Sequence, residues 1–146
     1  MTALVFDRTQ ADVQEARALR ASGLDLAARL KGCYDHIDRN RVGQAVNAVA
    51  AWLNANGYHS AAAGVTGWTQ ASLPDAKQNA AMLAAVTAVR DDFTVFAGTP
   101  ALPVTLHGMD YADANALERV LHDLFVMAEW AERCRVVYFS DDTFYE

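Results

Sequence analysis

The chain has little of what stabilises secreted, fibrous or membrane proteins. It contains 2 cysteines, Cys33 and Cys134, in 146 residues, too few for a disulfide framework, and two reduced, partly buried thiols are expected. Its 3 prolines and 8 glycines exclude collagen-like and linker-like classes. No apolar run approaches the roughly 18 residues of a membrane-spanning helix. The opening MTALVFDRTQ lacks the basic segment and apolar run of a secretory signal, so a chain made in the cytoplasm and kept out of membranes is expected. Positive charge is scarce as well. Lys and Arg total 12 against 18 Asp and Glu, a net charge of -6, and nucleic-acid binding, which draws affinity from clustered cations, is not expected. No G-x-S-x-G, P-loop or G-x-G-x-x-G string occurs, and no nucleophile with its base can be proposed from residue order, so no enzyme and no cofactor are expected.

What is present is an ordinary globular composition, 53% hydrophobic and 21% charged. A chain of this length buries roughly 70% of its unfolded surface, enough for one domain over 1–146. The periodicity is helical, and the expected fold is all-α: a bundle of three long helices plus one or two short ones, with an extended N-terminus and a short C-terminal β-like hairpin or tail.

The stretch 38–57 carries Val42, Val46, Val49 and Leu53 as a narrow apolar stripe, with an amide-rich back of Asn40, Gln44, Asn47 and Asn54. Asp38 is its expected N-cap, Gly57 its stop, and Gly43 a point of close approach by another helix. Thr9 with Asp12 has capping-box spacing and opens a helix over 9–20, and 24–31 reads as a short helical piece. Residues 58–68 show no stripe and read as irregular. Asp75 with Gln78 opens a helix over 75–97 with Met82, Val86, Val89, Phe93 and Phe96 on one face. Residues 98–109, with Pro100, Pro103 and Gly108, read as a loop that returns the chain. Asp110 with Asp113 opens the last helix, 110–135, whose core stripe includes Leu117, Val120, Leu121 and Leu124. Phe125, Val126 and Trp130 lie off that stripe. With Val137, Tyr138, Phe139, Phe144 and Tyr145 of the tail they exceed what one small core needs, and they are the candidate interaction residues.

Other chemistry is thinner. Cys33, His36, His122 and Cys134 could in principle make a Cys2His2 zinc site, but His122 and Cys134 stand about 18 Å apart along a helix, and no metal site is expected. Trp52, Trp68 and Trp130 with Tyr34, Tyr58 and Tyr111 could line a ligand pocket, though such residues more often form core with a polar edge. Arg39, Arg41 and Arg135 could gather an anion, with solvated pairing to Asp35 and Asp38 as the commoner outcome.

A set of short strings resembles one family. Asp7-Arg8-Thr9-Gln10-Ala11-Asp12-Val13, Lys31-Gly32 followed by Tyr34, Asp38 with Asn40-Arg41-Val42-Gly43, Gly57-Tyr58, Trp68-Thr69, Leu73-Pro74, Thr99-Pro100, Leu102-Pro103, and Tyr111 with Ala114-Asn115, Leu117-Glu118 and Leu121 keep order and spacing over nearly the whole chain. Together they resemble small proteins encoded in the tail-gene regions of Gram-positive phages and prophages. Cys33 and Asp35-His36-Ile37 in the connector, and the chain end, depart from that pattern. The resemblance implies a virion structural component of the tail or baseplate, without enzymatic activity, whose partners are itself, as a homo-oligomer, and other virion proteins. It also implies that Asp7 and Thr9 are caps, that Asn40 and Arg41 anchor their helix, and that Trp68 and Pro74 form a corner. A head-tail connector and a small-ligand or metal-binding bundle are the alternative readings.

Overall fold

The structure, a computed structural model, describes residues 3–23 and 30–141, with side chains as far as Cys134. Its elements are α1 (Gln10–Ala21), α2 (His36–Ala55), α3 (Ala76–Asp91) and α4 (Tyr111–Asp141), and the described residues contain no strand. Each start is built by short-range carboxylate chemistry. Thr9 and Asp12 form a reciprocal capping box on α1, and Asp75 and Gln78 do so on α3, satisfying amides that a helix start leaves unpaired. Asp110 accepts from the amides of Ala112 and Asp113 at α4. On α2 the cap is Asp35, not Asp38: Asp35 accepts from Ile37 and Asp38, and Asp38 reaches back to the Asp35 amide at 2.9 Å. Two acids at capping-box spacing leave both registers open in the sequence, and the earlier one adds three residues, nearly a full turn, to the helix.

The three long helices, α2, α3 and α4, touch one another pairwise and run in the same direction. Arg41 meets Glu118 near the starts of α2 and α4, and Trp52 meets Glu132 near their ends. Arg39 bonds Asn79 at the start of α3, while Trp52 packs on Phe93 just beyond its end. Parallel helices cannot be joined by tight turns. Each connection, 56–75 and 92–110, therefore travels back over the length of a helix, which explains two long stretches without secondary structure in a small domain.

The first return is clamped by the amide-rich back of α2. Asn40, Asn47 and Asn54 are seven residues apart, two turns or about 10.5 Å, and so share one face. Asn54 bonds both the amide and the carbonyl of Ser60, at 2.8 and 3.0 Å. Asn47 does the same to Gly64 at 2.8 and 3.1 Å, and Asn40 to Trp68 at 2.9 and 2.8 Å. A carboxamide holds a donor and an acceptor side by side, so it mimics a neighbouring strand, and the segment needs no other partner for these backbone groups. At the centre the two backbones touch. A Cβ on Gly43 would lie 2.1 Å from the Val65 carbonyl oxygen, and one on Gly64 would lie 2.1 Å from the Gly43 oxygen. Gly43 is thus a site of close approach, but by the return segment, not by a helix.

The core between the three helices is made of Val42, Val46, Val49 and Leu53 with Met82, Val86 and Val89 and with Leu117, Val120, Leu121 and Leu124. These are the expected stripes. Two boundaries differ. α3 stops at Asp91, and Phe93 and Phe96 reach the core side from a turn, so the apolar spacing continued after the helix had ended. α4 does not give way to a β-like hairpin: its backbone stays helical through 136–141. No Gly or Pro lies between Arg135 and Asp141, and Val136-Val137 costs a helix only a few tenths of a kcal/mol per residue. Residues 24–29, most of the expected short helix, and 142–146 lie outside the described residues.

Gly43→Ala should destabilise the fold by at least about 2 kcal/mol in urea unfolding, because neither backbone can yield without breaking the Asn47 clamp. Gly98→Ala, where nothing lies within 4 Å of the new methyl group, should stay within about 0.5 kcal/mol of wild type.

Candidate interaction surface

A buried charge cluster holds the starts of α2 and α4 and the N-terminal arm together. Glu118 is fully buried on α4 and accepts from Arg41 Nε at 2.7 Å, Arg41 Nη2 at 2.7 Å and Arg8 Nη2 at 2.9 Å. Asp38 accepts from Arg8 at 3.1 Å and also from Arg41. The Val5 amide donates to the second Glu118 oxygen at 2.7 Å, and Arg8 donates to the Val5 carbonyl. Asn115 clasps the Arg8 backbone from both sides, at 3.0 and 2.9 Å. Two guanidinium groups against two carboxylates leave the cluster neutral, and the fork of Arg41 meets Glu118 in two bonds. Burial alone would ease deprotonation of Arg41; Glu118 and then Asp38 hold its pKa above the ordinary value instead.

Arg39 takes another course. It bonds Asn79 at 2.9 Å and lies over the rings of Trp68 and Tyr34, 5.2 and 6.0 Å from their centroids. The arginines do not gather into an anion patch: Arg41 pairs with Asp38, as the commoner reading has it, but buried among carboxylates and not solvated, Arg39 is stacked on aromatics, and the Arg135 side chain lies outside the described residues. The aromatics likewise do not converge on one pocket. Trp52, Tyr58 and Phe93 pack with centroids 5.2 to 6.3 Å apart at the far end of α2, and Trp68 and Tyr34 serve Arg39 at its start. Among the described residues no three His, Cys, Asp or Glu side chains are placed to hold a metal ion. Cys33 is half-buried in the connector, and burial, with Asp35 and Asp38 nearby, raises its thiol pKa; Cys134 is exposed on α4.

The candidate residues of α4 divide. Phe125 is half-buried against the core, and Val126 is half-buried beside it. Trp130 is 53% exposed and meets Phe96 edge-on at 5.1 Å. Val137, Tyr138 and Phe139 lie on helical backbone with side chains outside the described residues, as are Phe144 and Tyr145 altogether. The geometry that joins them is the length of α4. The helix has 31 residues, about 46 Å, and its last described lateral contacts are Trp130 with Phe96 and Trp52 Nε1 with Glu132 at 2.6 Å. Residues 133–141 add about 13 Å of helix after them. Beside the departure point is a groove of about 400 Å³ lined by Trp52, Ala55, Tyr58, Ala131 and Glu132.

No protein-family model, curated protein or solved structure matches this chain. The site is accordingly read from its own geometry: a half-exposed Trp130 toward one end and an internally neutralised charge cluster at the other.

A second carboxylate ties the other return segment to α4. Asp123, 2% exposed, accepts from Thr99 Oγ1 at 2.6 Å and from Arg119 Nε at 2.8 Å, with His122 Nδ1 at 3.2 Å. Burial pushes its pKa up, but the bonds from Thr99 and His122 and the Arg119 charge outweigh that and hold it below the ordinary 3.8.

Two measurements follow from this geometry. Glu118→Gln should cost about 3–5 kcal/mol in denaturant unfolding, because it leaves two buried guanidinium groups to share the single charge of Asp38. A carboxylate with a depressed folded pKa stabilises fully above its unfolded value and loses that contribution as pH falls through the folded one. Melting temperature should therefore drop from about pH 5 downwards, and Asp123→Asn should lower it at neutral pH while flattening that acid limb.

Proposed function

We propose that this protein is a non-enzymatic structural component of a phage or prophage particle, placed in the tail or baseplate and acting by self-association and contact with other virion proteins. The proposal joins the tail-region resemblance to one observation: Trp130, beside the last described lateral contacts of α4, is 53% exposed, and the helical backbone continues through 141 with Val-Val-Tyr-Phe in its sequence. An exposed indole on a long helix is apolar surface of the kind that a neighbouring subunit covers. The bundle of three long helices is, on this reading, a rigid base for that contact. Its charge cluster is neutral, and both guanidinium groups hold both carboxylates, which suits a load-transmitting joint better than a catalytic centre. The Trp52–Tyr58 groove gives the partner's side chains a first foothold.

Light scattering coupled to gel filtration should give an assembly larger than the monomer. Its mass should fall on deletion of residues 136–146 or on Trp130→Glu, with the urea midpoint of the remaining fold unchanged. A particle of unchanged mass after both alterations would sink the proposal.

A further inference from the structure

The outward face of α3 carries a second anomaly, independent of α4 and of any virion role. From Gln78 to Val89 the helix has no charged residue, although Ala80, Ala81 and Ala84 face solvent. Solvent faces of helices are ordinarily charged or polar. Beside them runs a groove of about 640 Å³, walled by Ala80, Leu83, Ala84 and Thr87 on one side and by Val104 and Leu106 of the return segment on the other. Val104 is 98% exposed and Leu73, just before the helix, 91%. The strip along α3 is therefore open and uncharged between its ends, about 21 Å of helix from Lys77 to Asp91.

Its ends say which helix. The exposed charges that bracket the strip are Lys77 in the first turn and Asp91 in the last, and among the described residues neither has an ion-pair partner in its own chain. Both stand at the wrong end of their own helix: a cation faces the positive N-terminal end of the dipole and an anion the negative C-terminal end. An antiparallel neighbour of the same sequence reverses both mismatches. Lys77, Ala84 and Asp91 recur every seven residues and so share a face. With a two-fold axis at Ala84, Lys77 lies opposite Asp91 of the second copy, and Ala80 opposite Ala88. Alanine at each crossing position lets the axes come within the close end of the 8–10 Å range of helix packing.

We infer that this chain pairs with a second copy of itself through α3, antiparallel about Ala84, with Lys77 and Asp91 closing the two ends of the seam. The surface is isologous, as closed dimers require. It is separate from the end of α4, so the two contacts together would link subunits into assemblies larger than a dimer.

The test uses the full-length chain with Cys33→Ser and Cys134→Ser, so that an introduced thiol is the only one. Under mild oxidation A84C should form a covalent dimer rapidly, and A101C, on an exposed loop residue, should not. Adding K77E or D91K should slow the A84C crosslink by about tenfold, since each turns two attractive contacts repulsive. Each of these changes also improves the match of α3 to its own dipole, so circular dichroism should show the fold intact and the loss cannot be assigned to unfolding. K77E with D91K together restores opposite charges across the seam and should recover most of the rate. Crosslinking of A84C no faster than A101C, or a double swap as slow as either single change, would overturn the pairing. Neither result depends on residues 136–146, so failure of the α4 contact and failure of this one are read separately.

Discussion

Everything in this fold is arranged around a neutral knot of four charged side chains that water does not reach. Arg8 brings the N-terminal arm, Arg41 and Asp38 bring the first turns of α2, and Glu118 brings the second turn of α4. Taking such groups out of water costs several kcal/mol for each ion and is repaid only when the geometry is close and the remaining bonds are filled. Here three parts of the chain fill all of them but one, the buried Arg8 Nε. The knot thereby specifies register more than it adds stability: slide α2 along α4 by one turn, and a guanidinium and a carboxylate are each left buried and alone.

The parallel run of α2, α3 and α4 follows from this. With the starts of α2 and α4 tied together, the loops must travel the length of the domain, and their backbone groups need partners that no sheet provides. Asn40, Asn47 and Asn54 supply them for the first return, and Asp123 secures Thr99 on the second. Gly43 and Gly64 let that first backbone lie directly on the helix. The string Asn40-Arg41-Val42-Gly43 thus performs four structural duties in four successive positions: clamp, buried charge, core and contact.

The surfaces proposed for association are helical faces: α4 with its half-exposed Trp130, and α3 with an uncharged strip that has opposite charges at its ends. The two differ in chemistry, as befits contacts that must not compete with one another.

The sequence by itself determined the all-helical class, three of the capping sites, the core stripes, and the presence of long irregular returns, because these depend on spacings within a few residues of one another. It also showed the amide back of α2 without its purpose. Glu118, set between Leu117 and Leu121 in an apolar stripe, was a visible sign of a buried cation. Naming Arg8 as one of its partners needed the tertiary structure, since 110 residues separate them. The end of α3 was hidden for a related reason: Phe93 and Phe96 keep the helical spacing because they still pack on the core from outside the helix. What only the tertiary structure decided was direction and neighbourhood: that the long helices run parallel, and that Gly43 receives a loop. Those are relations between distant segments, and no local periodicity encodes them.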